Sequence, residues 1–210
     1  MKTLAILGCG DLGQQIAHYA IKDHHYNKVV FYDDFTKEKE INGYSILGNS
    51  DDVLFGYNNH LFDEIILAIG YKHLNRKKEI YNLLAENNIP FGKIIHSSSW
   101  VDETASIKAG SVIYPGCIID AKAVVSENTI LNVGCTIAHD TTIGKHSFLS
   151  PRVAIAGFVK VGNRCVLGIN STLIDNIEIV DETQIGGGAV VISSIVTPGL
   201  YVGNPHRFVR

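Results

Sequence analysis

Residues 107–143 read IKAGSVIYPGCIIDAKAVVSENTILNVGCTIAHDTTI, with an aliphatic residue at every sixth place: Ile107, Ile113, Ile119, Val125, Leu131, Ile137 and Ile143. Followed outward, the register starts at Ile95 and Val101. It runs on through Leu149, Ile155, Val161, Leu167, Leu173, Ile179 and Ile185 to Val191, seventeen leads without a gap. Four places after each lead stands a mostly small residue, as at Ser99, Ala105, Ser111, Cys117, Ala123, Thr129, Cys135 and Thr141. A six-residue period is the mark of a parallel β-helix. Each hexad makes one short face of a triangular coil, and three hexads, 18 residues, close one turn. The leads then point inward and stack on the residue 18 places away, and the small residues fit the narrow interior beside the corners. Each coil covers the next, so stability accumulates along the stack.

The rest of the composition agrees with an ordered globular chain. Of 210 residues, 46% are hydrophobic and 19% charged, outside the disordered range. A net charge of -3 gives no basic excess to attract nucleic acid or an anionic membrane surface. No apolar run reaches the length of a membrane span. The opening MKTLAILGCGDLG is broken by glycines and an Asp and reads as a first strand, not a signal peptide. Cys9, Cys117, Cys135 and Cys165 include no C-x-x-C pair, so no metal site is expected. The thiols are expected to be free in a reducing cytoplasm. Cys117, Cys135 and Cys165 occupy the small position, with Cys117 and Cys135 one coil apart and expected to stack.

The first ninety residues follow a different rule. Residues 3–8 read as a buried parallel strand, and Gly8-Cys9-Gly10-Asp11-Leu12-Gly13 gives G-x-G-x-x-G before a helix over about 12–22. Residues 29–33 form a second strand ending at Asp33, twenty places beyond Gly13. This is the dinucleotide-type fingerprint in strand–turn–helix context. The glycines permit a tight turn and approach of a phosphate to the helix N-terminus. Asp33, followed by Asp34, can accept bonds from a ribose. A short helix is expected over 50–57, a strand over 64–69, a helix over 72–87, and a last strand over 91–95 running into the first coil. The domain division is therefore 1–94 and 95–210. Only one mononucleotide half fits before the repeat, so the head reads as a holder of a nucleotide or nucleotide sugar. A vestigial structural head and a hydride-transferring dehydrogenase are the other readings. Lys72 and Arg76 follow the third strand's C-terminal end, where α/β sheets bind ligands. They can meet a diphosphate or simply form a solvated helix face.

The chemistry falls on the segment 131–144, LNVGCTIAHDTTIG. His139 is third in its hexad, outside the aliphatic core. A base that takes a proton from an attacking amine or hydroxyl is a role that suits imidazole, which titrates near neutrality. Asp140 beside it can orient the ring and stabilise the imidazolium. A solvated surface His next to an unrelated Asp is the plain alternative. His24, His25 and His206 are given no special role.

This segment, within its repeat, resembles the N-x-x-x-x-I-x-H-[DE]-x-x-I-G pattern of the sialic acid O-acetyltransferase-like hexapeptide-repeat acyltransferases. That group includes the N-acetyltransferases of nucleotide-linked 4-amino sugars. The resemblance extends from the head to Tyr201-Val202-Gly203-Asn204-Pro205. It implies a Rossmann-like α/β head followed by a left-handed parallel β-helix, acetyl-CoA as cosubstrate, and a homotrimer with coenzyme in the groove between copies. It also implies His139 as general base with Asp140 as its partner, and Asn132 as a substrate contact. Family coenzyme positions fall on Phe148, Gly157, Ile169 and Gly187, though the two glycines also suit coil corners. At Phe148 the chain departs from its relatives, many of which carry a His there, and His146 lies in the wrong part of the hexad to substitute. Ser150-Pro151-Arg152-Val153 and the segment 167–173, LGINSTL, resemble the amino-sugar N-acetyltransferases. No Cys or Ser stands as a nucleophile beside His139, so direct attack in a ternary complex is expected, with a backbone N–H at the oxyanion. The expected reaction is N-acetylation of a nucleotide-linked 4-amino-4,6-dideoxy sugar. Sugar O-acetylation, or a non-catalytic binding β-helix, are the alternatives.

Overall fold

The computed structural model describes residues 2–210, and the chain separates into two compact units, Met1–Ile94 and Ile95–Arg210. The first is a small α/β unit. Strand Thr3–Leu7 lies between Lys28–Tyr32 and Glu64–Leu67, all parallel. Single parallel bridges, Phe31 to Ile46 and Ile65 to Phe91, extend the sheet on both sides. Helix Asp11–Lys22 follows the first strand and helix Leu74–Glu86 follows the third. Ala5, Leu7, Val30, Tyr32, Ile65 and Leu67 form its core with Val53, Phe62 and Ile80.

Two expectations for this unit need correction. The strand expected over 91–95 is not continuous: Phe91 bridges back to the head's sheet, while Ile94–Ile95 is a separate strand at the start of the coils. Pro90 supplies only a carbonyl, to Ile65 N–H, and Gly92 N–H returns to Ile65, so the segment turns after one bridge. The expected helix over 50–57 is a 3-10 turn, Ser50–Asp52, running into Val53–Asn58. The sequence reading missed a hairpin, Glu40–Ile41 with Tyr44–Ser45, whose two-residue strands are too short to show a period.

The second unit is a parallel β-helix of two-residue strands. Each lead pairs in register with the lead 18 residues on, as in the column Ile119, Ile137, Ile155, Leu173, Val191. Three sheets of six, five and eight strands result, consistent with the left-handed winding that the resemblance implies. From Ile107 to Val191 every lead is buried. The small-position residues are buried among them, and their polar atoms tie successive coils together. The hydroxyl or thiol donates to the carbonyl 15 residues on: Ser111 to Ser126 (2.9 Å), Thr141 to Ala156 (2.8 Å), Ser147 to Gly162 (3.2 Å), Cys135 to Ser150 (3.3 Å). The same oxygen of Ser111, Thr141 and Ser147 accepts the N–H 18 residues on, at 3.2, 3.3 and 3.1 Å. The small position is thus also a polar clamp on backbone groups that the corner would otherwise bury unpaired. Cys117 and Cys135 stack thiol to thiol as expected, and all four cysteines are free.

From Ile107 to Ile185 each corner also holds a residue in the left-handed conformation, and this too has period six. Positive φ occurs at 110, 116, 122, 128, 134, 140, 146, 152, 158, 164, 170, 176, 182 and 188, three places after each lead from Ile107 to Ile185. At the C-terminal end, Leu200–Val202 and Arg207–Phe208 form an antiparallel pair on the longest sheet. His206, expected to have no role, accepts the Ile192 N–H at Nδ1 (3.3 Å) and helps hold this cap.

Candidate active site

His139 and Asp140 sit on the corner after strand Thr136–Ile137. Because Ile137 points inward, its successors turn outward, and the His139 side chain is 48% exposed. Its Nδ1 lies 3.1 Å from Asp140 Oδ2. Asp140 is one of the left-handed corner residues (φ 55°), and that backbone brings its carboxylate alongside the preceding ring. A proton on Nδ1 is then held by the carboxylate, leaving Nε2 as the basic nitrogen.

One coil further on, the register places Gly157 against the ring. A Cβ at 157 would lie 2.7 Å from His139 Cε1 and 2.9 Å from Nε2, so only glycine leaves space beside the basic nitrogen. The neighbouring Phe158 ring meets the imidazole edge to face, centroids 5.1 Å apart and planes at 85°. The Gly157 carbonyl accepts Asn176 N–H, and the Gly157 N–H has no hydrogen-bond acceptor among the described residues.

The other residues drawn from the sequence are not all at this corner. Ile169 and Gly187 touch each other, since a Cβ at 187 would meet Ile169 Cγ2 at 3.1 Å, but on a different corner, beyond strand Val166–Leu167. Asn132 stands on that same corner column, at the far end from His139 of the face carrying Thr136–Ile137, and its Oδ1 takes the Val133 N–H (2.7 Å). Phe148 is buried on another sheet, between Ile130 and Val166. His146 is buried, its Nδ1 accepting from Asn128 Nδ2 (3.0 Å).

In the head, Leu7, Gly8, Asp33, Asp34, Phe35, Ile69, His73, Arg76 and Ile80 line a cleft of about 180 Å³. Asp33 braces it: Oδ2 accepts Cys9 N–H (2.8 Å), and Oδ1 accepts Phe35 N–H (2.8 Å) and Thr36 N–H (3.0 Å). Burial alone would raise the Asp33 carboxyl, but these N–H groups outweigh it and hold it below its ordinary value. Asp34 Oδ1 accepts Ser50 N–H (2.7 Å). Gly13 serves packing, for a Cβ there would lie 1.9 Å from Gly8 O. Gly10, before the helix, has open space where a Cβ would stand. Lys72 is exposed in a 3-10 turn and does not line the cleft; Arg76 does. The sequence reading missed Phe35, Ile69 and His73, which loops and turns bring to the cleft, and it missed Phe158. Among the described residues no group of His, Cys, Asp and Glu is placed to hold a metal ion. No helix of the described residues is long and apolar enough to cross a membrane.

Fold and corner together define a hexapeptide-repeat β-helix protein with an α/β head and an outward-facing His–Asp pair. Residues 3–84 match the PglD N-terminal domain family. Over its whole length the chain shares its fold with solved structures that include acetyltransferases. The acetyltransferase domain of PglB from Neisseria gonorrhoeae, solved with acetyl coenzyme A, is 23% identical over 99% of both chains, with a TM-score of 0.90. PerB from Caulobacter crescentus, solved with CoA and GDP-perosamine, is 21% identical over 100% of this chain and 98% of its own, with a TM-score of 0.90. WeeI from Acinetobacter baumannii is 18% identical over 100% of both, with a TM-score of 0.87. No curated protein matches the chain by sequence. These matches bear out, at the level of fold, the resemblance read from the repeat and its His–Asp segment.

Proposed function

We propose that the protein is an acetyl-CoA-dependent N-acetyltransferase acting on the 4-amino group of a nucleotide-linked 4-amino-4,6-dideoxy sugar. The observation that carries this reading is the corner where Asp140 holds His139 Nδ1 and Gly157 keeps space open beside Nε2. The sugar's amine attacks the acetyl carbonyl while Nε2 takes its proton. The Gly157 N–H stabilises the oxyanion. Attack forms the C–N bond and the tetrahedral oxyanion; its collapse restores the C=O bond, breaks the C–S bond, and releases CoA as a thiolate that takes the proton back from Nε2. Asp140 stabilises the imidazolium between these steps. The nucleotide lies in the head's cleft, with Asp34, His73 and Arg76 as its polar contacts. The resemblance to PerB, solved with a GDP-linked sugar, supports this substrate class.

The site needs a second copy of the chain. Gly157 is at the His139 corner, whereas Ile169 and Gly187 share another corner, and the face between them exposes Trp100, Ile118, Ile174 and Ile192. In a homotrimer, the Ile169–Gly187 corner of one copy meets the His139–Gly157 corner of the next, and acetyl-CoA lies in the groove between them. Light scattering at three times the 22.9 kDa chain mass, with stoichiometric acetyl-CoA binding, is the expected result; a monomer that binds acetyl-CoA would refute the shared site. Product analysis separates the chemistries: an amide resists hydroxylamine, whereas an acetyl ester would move the assignment to O-acetylation.

A further inference from the structure

Fourteen corner residues have positive φ, and ten of them carry a side chain: Lys122, Asn128, Asp140, His146, Arg152, Phe158, Arg164, Asn170, Asn176 and Glu182. Nine are polar; Phe158 alone is apolar. The left-handed region is sterically poor for any residue with a Cβ and is relieved chiefly in Asn, Asp and Gly. Nor does its own coil stack bury it, for Phe158 is 53% exposed on the single chain. An unfavourable backbone state and an exposed aromatic ring thus coincide at one corner, and that ring packs edge to face on His139. Its N–H also donates to the His139 carbonyl (3.2 Å), so the two residues are coupled through backbone and side chain. The coil imposes this backbone at every one of these corners, so what sets position 158 apart is the choice of an apolar ring that packs on His139.

Resting on the reading of His139 as base, we infer that Phe158 is a positioning residue that fixes the imidazole plane for proton transfer. The half-exposed ring is otherwise held only by Asp140 at Nδ1 and by the wall at Gly157. A planar ring gripped at one atom can still swing about its χ angles. Phe158 closes the remaining side, so that Nε2 faces the reacting amine.

The test is Phe158→Asn and Phe158→Tyr in the full chain, with His139→Ala alongside, measuring kcat, KM for acetyl-CoA and for the amino sugar, oligomer mass and melting temperature. Asn accepts the left-handed backbone, so Phe158→Asn is expected to fold with a melting temperature equal to or above that of the unaltered protein. Its kcat is expected to fall about three- to tenfold, the range of an aromatic pair contact, with both KM values unchanged. Phe158→Tyr retains the ring and is expected to restore kcat. An unchanged kcat in Phe158→Asn, with His139→Ala inactive, would overturn the inference and leave the base in place. So would a fall in kcat accompanied by a lower melting temperature or loss of the oligomer, or a rise in KM alone. Full activity in His139→Ala would overturn the underlying reading itself.

Discussion

Replacing Gly157 by Ala tests the site's geometry most sharply. The added Cβ would stand 2.7 Å from His139 Cε1 and 2.9 Å from Nε2, whereas carbon atoms in contact settle near about 3.6 Å. The ring must therefore retreat by about 1 Å. It can do so only toward solvent, on its half-exposed side, at the expense of its contacts with Asp140 and Phe158. Gly157 is not among the positive-φ residues, so its backbone accepts alanine. The fold is expected to be unharmed and even stabilised, by about 0.4–1 kcal/mol through the stiffer unfolded chain. Displacing a catalytic group by an ångström costs on the order of 100-fold in rate. The variant is thus expected to melt no lower than the original protein and to release CoA from acetyl-CoA about 100-fold more slowly. Turnover within twofold of the original would show that the imidazole can work from elsewhere, and the argument from Gly157 would fail.

Three other outcomes follow from the same structure. Ser147→Ala strips the clamp between Cys165 N–H and Gly162 C=O and is expected to cost about 1–3 kcal/mol, read as a lower denaturation midpoint. Because Asp33 titrates below its ordinary value, its stabilisation of the head is fully present above about pH 4 and is lost as pH falls through its lower folded value. Asp33→Ala should remove that acid-side slope in urea titrations at stepped pH; an unchanged slope would mean that other carboxylates carry it. Burial makes the four thiols inaccessible, and it pushes Cys9 and Cys165 up to about 11. A thiol reagent should therefore label none in the native protein and all four in denaturant.

The coils were legible because every lead must fill the same interior slot. Ile119, Ile137 and Ile155 stack directly, and a polar residue at any of them would show. The corner requirement was hidden because very different residues meet it, from Gly134 to Arg152 to Phe158. The same 18-residue arithmetic that stacks the leads sets Gly157 under His139 and Phe158 under Asp140, so that half of the site was present in the spacing. The head was harder to read. Its strands and fingerprint follow from apolar runs and glycines, but the cleft is finished by Phe35, Ile69 and His73 from loops and turns, which no period governs. Lys77 illustrates the limit: it sits in a helix rich in charge, yet it is wholly buried, and burial pushes it down to about 7.

The most direct measurement is the release of CoA thiol from acetyl-CoA over a panel of nucleotide-linked 4-amino sugars, with free sialic acid alongside and His139→Ala as the control. The account predicts turnover with a nucleotide-linked amino sugar that the substitution abolishes. Full turnover by His139→Ala, or a folded protein that neither binds acetyl-CoA nor acetylates any acceptor, would contradict it.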